Sequence, residues 1–176
     1  MSYACFITSV VNNRIPIFTR SQYCDILIED LQFYRTAKQF LLLGYLIMPD
    51  HVHMIFHPEG NYSIGEILRD YNKHTAHAIL HRMKVCDARG VKGLSSITVH
   101  RNTRKHQVWQ EEPWKEEIFS EHFFMQKLDY IHRNPIRKGL AVNPKDRYYS
   151  SFRSLYLEDH RPNKVDRMWF SRPNCP

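Results

Sequence analysis

Cysteine is scarce and scattered in this chain: Cys5, Cys24, Cys86 and Cys175 never form a CxxC spacing. That argues against a disulfide frame and against a cysteine zinc site, and it fits reduced thiols in a cytoplasmic protein. No apolar run reaches the length of about 18 residues that a spanning helix needs, so no membrane partner is expected. The opening "MSYACFITSV" has no basic flank leading into a long apolar core, so no secretory signal is expected. The six glycines never fall into a GxxxxGK[ST] loop, which argues against that kind of nucleotide-phosphate cradle. No internal repeat, low-complexity tract or linker divides the 176 residues. We therefore expect one domain over residues 1–160 and a tail over 161–176. At 43% hydrophobic and 13% aromatic residues, the composition is that of a folded domain with a real core.

The net charge is +7, and all of it resides in one stretch. Between Arg69 and Val108 stand Arg69, Lys73, Arg82, Lys84, Arg89, Lys92, Arg101, Arg104 and Lys105, opposed by Asp70 and Asp87 alone. His74, His77, His81, His100 and His106 lie in the same stretch. A localised basic stripe suits a polyanion, of which nucleic acid is the commonest, although a solvated basic loop reads the same way.

Periodicity places the elements. "YACFITSVV" (Tyr3 to Val11) reads as a strand rich in aromatic and β-branched residues, and "NNRIPIF" as a loop. Tyr23, Leu27, Leu31 and Tyr34 recur at helical spacing between Ser21 and about Lys38. "QFLLLGYLIMP" reads as a buried strand, and Pro49-Asp50 as a tight turn into the strand "HVHMIFH", which predicts an antiparallel hairpin. Ser63 followed by Glu66 resembles a capping box that opens a helix to about Met83. "KVCDARGVKGLSSITVHRNTRKHQ" lacks clear periodicity and reads as a long exposed loop or a short extra hairpin. "QVWQEEPWKEEIF" resembles an edge strand interrupted at Pro113. Ser120 then caps a helix carrying Phe123, Phe124, Leu128 and Ile131, expected to stop at Asn134-Pro135. The order β-α-β-β-α-β followed by a helix is that of an α+β ferredoxin-like sandwich. It predicts a four- or five-stranded antiparallel sheet with helices on one face, plus a C-terminal helix carrying a tyrosine.

Two stretches carry candidate chemistry. In "MPDHVHMIFHPEG" the strand period puts His51 and His53 on one face, with Val52, Met54 and Phe56 on the other. Neutral imidazoles are common ligands for divalent metals, and two of them leave an open site rather than a closed structural one. His57 lies too far along the strand to join them. In "KLDYIHRNPIRKGL", Tyr130 and Asn134 are one helical turn apart on one face. Asn134 offers an amide oxygen where Tyr130 presents its hydroxyl, and Arg133, Arg137 and Lys138 add positive charge beside them. Taken singly, each motif also has a plain structural reading: half-buried histidines, and a core tyrosine before a basic helix end that suits the helix dipole.

Taken together and in order, "MPDHVHMIF", then "LDYIHRNPIRKGL" about seventy residues later, then "RYYSSFRSLY", closely resemble the single-tyrosine HUH transposases. Within them the chain is most similar to the REP-associated tyrosine transposases of the IS200-like family. The resemblance implies an enzyme that cleaves and rejoins single-stranded DNA through a 5′-phosphotyrosine, at hairpin-containing repeats. It implies Tyr130 as nucleophile, and His51, His53 and Asn134 as ligands of Mg²⁺ or Mn²⁺. Some relatives have glutamine at the position of Asn134. It also implies a ferredoxin-like fold and action as a monomer or homodimer. Hairpin contacts through Arg69, Lys73, Arg101, Arg104 and Lys105 are expected from charge, and contacts near the tyrosine through Arg133, Arg137 and Lys138. Trp109, Trp114, Tyr148, Tyr149 and Phe152 are candidate surfaces for base stacking. Two other functions suit the same residues: a non-catalytic module that binds structured single strands, and a metal-dependent phosphodiesterase with water as nucleophile.

Overall fold

In the computed structural model, residues 3–86 and 107–167 are described. The expected loop over 84–108 falls mostly outside them, as do Arg101, Arg104, Lys105 and the end of the tail. The element order is β1 (Ala4–Val10), α1 (Ser21–Ala37), β2 (Phe40–Met48), β3 (His51–Pro58), α2 (Ile64–Cys86), β4 (Trp114–Ile118), α3 (Glu121–Arg137) and α4 (Phe152–Tyr156). The four strands form one antiparallel sheet in the order β2-β3-β1-β4, the α+β arrangement expected of a ferredoxin-like sandwich.

The strand period divides the core into two layers. On one face Ile7, Val52, Met54 and Phe56 pack with Leu27 and Leu31 of α1 and with Leu68 and Tyr71 of α2. On the other face Phe6, Leu43, Leu46, Ile55 and Ile118 pack with Phe124, Leu128 and Ile131 of α3. Two helices therefore cover one face, and the helix that carries Tyr130 covers the other. A Cβ on Gly44 of β2 would come within 2.9 Å of Leu128 Cδ1, so the absence of a side chain there lets α3 lie close against the sheet.

β2 is buried along all nine residues although it ends the sheet. Its outer edge is satisfied by later chain, as an uncovered edge would leave open hydrogen-bonding groups. Ile47 N–H donates to Tyr149 O at 2.9 Å, Ser151 N–H to Tyr45 O at 2.9 Å, and Asp166 N–H to Leu42 O at 2.8 Å. Val165 enters the core beside it.

The Pro49-Asp50 hairpin forms as expected, with Met48 opposite His51. So do both helix starts: Glu66 accepts from Ser63 N–H at 2.9 Å, and Ser120 Oγ accepts from Phe123 N–H at 3.2 Å. The end of α3 departs from expectation, because the helix does not stop at Asn134-Pro135. It passes through Pro135 to Arg137. Pro135 removes one N–H, but the next bonds survive: Lys138 N–H reaches Asn134 O at 3.1 Å. Gly139, at φ +67°, ends the helix instead. Its N–H bonds Ile136 O at 2.9 Å while Leu140 N–H bonds Pro135 O at 2.8 Å, a Schellman cap. The short helix α4 follows the one that carries Tyr130.

Candidate functional site

β3 and β1 are antiparallel neighbours, with His51 opposite Val10 and His53 opposite Thr8. The period of two turns both imidazoles towards α3, and both are buried. Their Nε2 atoms face each other at 3.2 Å. Each Nδ1 is held from behind: His51 Nδ1 lies 2.5 Å from Asp50 Oδ1, and His53 Nδ1 lies 2.8 Å from Thr8 Oγ1. Asp50 is itself paired with Arg14 Nη1 at 3.1 Å.

Burial disfavours the charged form of His51; Asp50 opposes that effect, Arg14 and Lys138 reinforce it, and the pKa ends below the usual histidine range. Burial above all, with His51 alongside, pushes His53 down to about 3. Burial works against ionising Asp50 as well, but His51 and Arg14 hold its carboxyl below the usual carboxylate range. Two neutral imidazoles beside a carboxylate are therefore presented at neutral pH.

α3 brings the other two residues. Asn134 is buried, with Nδ2 3.3 Å from His53 Nε2, and its Oδ1 is buried without a hydrogen-bond partner. One turn earlier the Tyr130 ring meets the edge of His53 at a centroid distance of 5.6 Å and that of Phe6 at 6.0 Å. Tyr130 remains 37% exposed. The Arg137 guanidinium lies 5.5 Å from the centre of the Tyr130 ring.

These donors fit a divalent cation. Two nitrogens 3.2 Å apart, each about 2.1 Å from one ion, subtend roughly 100° at it, which suits neighbouring ligands of an open site. A half-turn of the Asn134 amide exchanges its two heteroatoms and brings the orphaned Oδ1 towards the same point. Metal-binding histidines characteristically have the second ring nitrogen held by a carboxylate or another polar group, the part filled here by Asp50 and Thr8. Among the described residues, no three His, Cys, Asp or Glu side chains are grouped to hold a metal ion; the Asn134 amide lies beside the two imidazoles.

The sequence-derived residues thus sort into three groups. His51, His53, Asn134 and Tyr130 come together, with Arg137 beside them. Arg133 lies on the exposed side of α3, paired with Asp129 at 2.7 Å, and Lys138 follows the helix end. Arg69 and Lys73 belong to α2, in the layer on the opposite face of the sheet, and Arg69 is paired with Asp70 at 3.0 Å. Of the aromatic candidates, Trp109 is a core residue whose Nε1–H donates to Thr75 Oγ1 at 3.0 Å, whereas Trp114 is exposed. Sequence reasoning missed Thr8, Asp50 and Arg14. Asp50 could have been flagged as a carboxylate next to a candidate ligand. Thr8 had no signal, since only the β1–β3 register brings it to His53.

Residues 2–90 match the family model described as "Transposase IS200 like". That span includes His51 and His53 and ends before Tyr130. Among solved structures, the chain is similar to a REP-associated tyrosine transposase bound to a REP hairpin, at 23% identity and a TM-score of 0.66, covering 94% of this chain and 88% of that one. It is also similar to a "putative transposase" from Deinococcus radiodurans R1, at 16% identity and a TM-score of 0.49, covering 76% of this chain and 91% of that one. No curated protein matches the chain. No helix among the described residues is long and apolar enough to cross a membrane.

Proposed function

The chain belongs to the IS200-like transposase family, and we propose that it cleaves and rejoins single-stranded DNA with Tyr130 as the nucleophile. The observation that carries this reading is the convergence, on one face of the sheet, of an exposed tyrosine with two neutral imidazoles and an unpartnered amide oxygen. The solved structure it resembles is bound to a REP hairpin, and we take a hairpin-bearing single strand as the substrate class.

Tyr130 Oη attacks the scissile phosphorus, forming an O–P bond as the P–O3′ bond breaks. The products are a 5′-phosphotyrosyl protein and a free 3′-hydroxyl; the phenol proton passes to solvent and the leaving 3′-oxygen gains one. Attack by another 3′-hydroxyl reverses the step and releases the tyrosine, so no nucleotide triphosphate is needed. α3 fixes the phenol over the site, which contributes positioning. Arg137, against the Tyr130 ring, puts a positive charge beside the attacked phosphate in this reading. Mg²⁺ or Mn²⁺ held by His51 Nε2, His53 Nε2 and Asn134 Oδ1 would bind a non-bridging phosphate oxygen and offset the charge developing there. Arg133, Arg137 and Lys138 then contact phosphates next to the cleavage point, and Arg69, Lys73, Arg101, Arg104 and Lys105 contact the hairpin. Tyr130 meets His53 of its own chain, which supports a site assembled within one protomer.

The test is incubation of labelled single-stranded DNA from the flanks of the gene, hairpin included, with Mn²⁺, followed by a denaturing gel. The expected result is a protein–DNA band that needs the metal and disappears in Tyr130→Phe. Cleavage without such a band would mean that water is the nucleophile, and tight binding without cleavage would mean a binding module.

A further inference from the structure

The edge strand β4 carries an exposed tryptophan on the same face as the candidate site. In the β1–β4 register Trp114 lies opposite Thr8, Glu116 opposite Phe6 and Ile118 opposite Ala4. Residues directly opposite in an antiparallel pair point to one face. Three contacts fix which face it is. Ile118 and Phe6 pack in the α3 layer, Glu116 Oε2 accepts from Lys127 Nζ of α3 at 2.6 Å, and Thr8 Oγ1 lies 2.8 Å from His53 Nδ1. Trp114 and His53 therefore flank β1 on the α3 side, their backbones about 10 Å apart at two strand spacings. α3 buries Ile118 and reaches Glu116, but Trp114 stays 66% exposed. Trp109 shows the contrast of an indole that serves the core: it is buried in the other layer, with its Nε1–H bonded to Thr75.

We propose that the indole of Trp114 is a stacking platform for one unpaired base next to the phosphate attacked by Tyr130. An indole offers a large flat apolar face, and every base has a π-face to set against it. The charge around Trp114 favours a base over the sugar–phosphate chain. In "EEPWKEE", four glutamates flank the indole against Lys115 alone, and Glu116 is already paired with Lys127. Repulsion keeps phosphates from this edge and leaves them to Arg137 and Lys138 at the end of α3. One strand is thereby held through its phosphates at the helix end and through a base at the sheet edge. This inference rests on the single-strand reading given above and adds a contact to it.

The experiment measures equilibrium binding of the full-length protein to hairpin-bearing single-stranded DNA from the flanks of the gene, with a chelator present to prevent cleavage. Copies of that DNA in which one unpaired nucleotide at a time is made abasic are measured alongside. Trp114→Leu should weaken binding of the intact DNA about 5–100-fold. The slope against salt should stay as in the wild type, because a stacked base releases no counterions. Trp114→Phe keeps a ring and should keep most of the affinity. One abasic position should cost the wild type a similar factor and cost Trp114→Leu nothing. Phe33→Leu, at an aromatic 62% exposed on α1 across the sheet, should bind as the wild type does. A Trp114→Leu variant that binds the intact DNA as the wild type does would overturn this inference alone. So would one that loses the same factor on every abasic copy, or one that keeps its DNA affinity but no longer self-associates, which would give the indole to a second copy. Wild-type protein that binds none of these DNAs would overturn the single-strand reading itself, and this inference with it.

Discussion

Under the proposed metal reading, Asn134 serves as a ligand and not as a support of the fold. Its amide is buried, its nitrogen makes one long contact to His53, and its oxygen meets no donor. A buried polar atom left unsatisfied costs about 1–3 kcal/mol. Leucine has a similar volume and no such atom. Asn134→Leu should therefore raise the stability of the metal-free protein by about 1 kcal/mol, measured by urea denaturation with a chelator present. In the wild type, added Mn²⁺ should increase stability by mass action, and in Asn134→Leu it should do nothing. If the variant proves less stable in the metal-free state, Oδ1 serves the fold and the case for it as a ligand fails. Tyr130 and Arg137 show the same local economy: one face of α3 brings the phenol, the amide and a guanidinium to the same place.

α3 positions all of these groups, so how it ends determines where they lie. Pro135 sits inside the last turn, and Gly139 closes it with a positive φ and paired capping bonds. Pro135→Ala should leave the helix end where it is, read from backbone chemical shifts over residues 136–140. Gly139→Ala should cost about 1 kcal/mol, since an L side chain is strained in the left-handed region, and should fray the turn carrying Arg137 and Lys138. A helix that extends past residue 139 in Pro135→Ala would restore proline as the stop signal. The contrast shows what a sequence can reveal. The hairpin at Pro49-Asp50, the caps at Ser63 and Ser120, and the shared face of His51 and His53 were legible because each is set by neighbours a few residues apart. The helix end was misjudged because the proline rule is a local tendency, and a glycine four residues further on supplied a stronger cap. The approach of Thr8 to His53 and of Asn134 to the same imidazole spans 45 and 81 residues, and no short-range pattern encodes it. The cover over the β2 edge by residues 149–151 and 166 was invisible for the same reason.

At the scale of the whole molecule, the candidate DNA-binding cations among the described residues divide between the two faces of the sheet. Arg133, Arg137 and Lys138 lie with Tyr130 on the α3 side, while Arg69 and Lys73 lie on α2, across the sheet. Neither group is locked away. Arg133 is paired with Asp129, and Arg69 with Asp70, in exposed ion pairs worth at most about 1 kcal/mol, which a phosphate can displace. Under the proposed function, a short single strand seated at Tyr130 is expected to reach only the first group, and a folded hairpin to extend around the sheet edge to the second. Salt dependence separates the two, since each phosphate that a side chain neutralises contributes about 0.7–0.9 to the slope of log affinity against log salt. Replacing Arg137 and Lys138 with glutamine should flatten the slope by about 1.5 for an unstructured oligonucleotide and for a hairpin oligonucleotide alike. Replacing Arg69 and Lys73 with glutamine should flatten it by a similar amount for the hairpin alone, with no change in the rate of cleavage once DNA is bound. Equal flattening on both oligonucleotides would place the single strand itself across α2. An unchanged slope on both would remove α2 from the DNA surface, leaving hairpin recognition to the α3 side and to the basic stretch beyond Cys86.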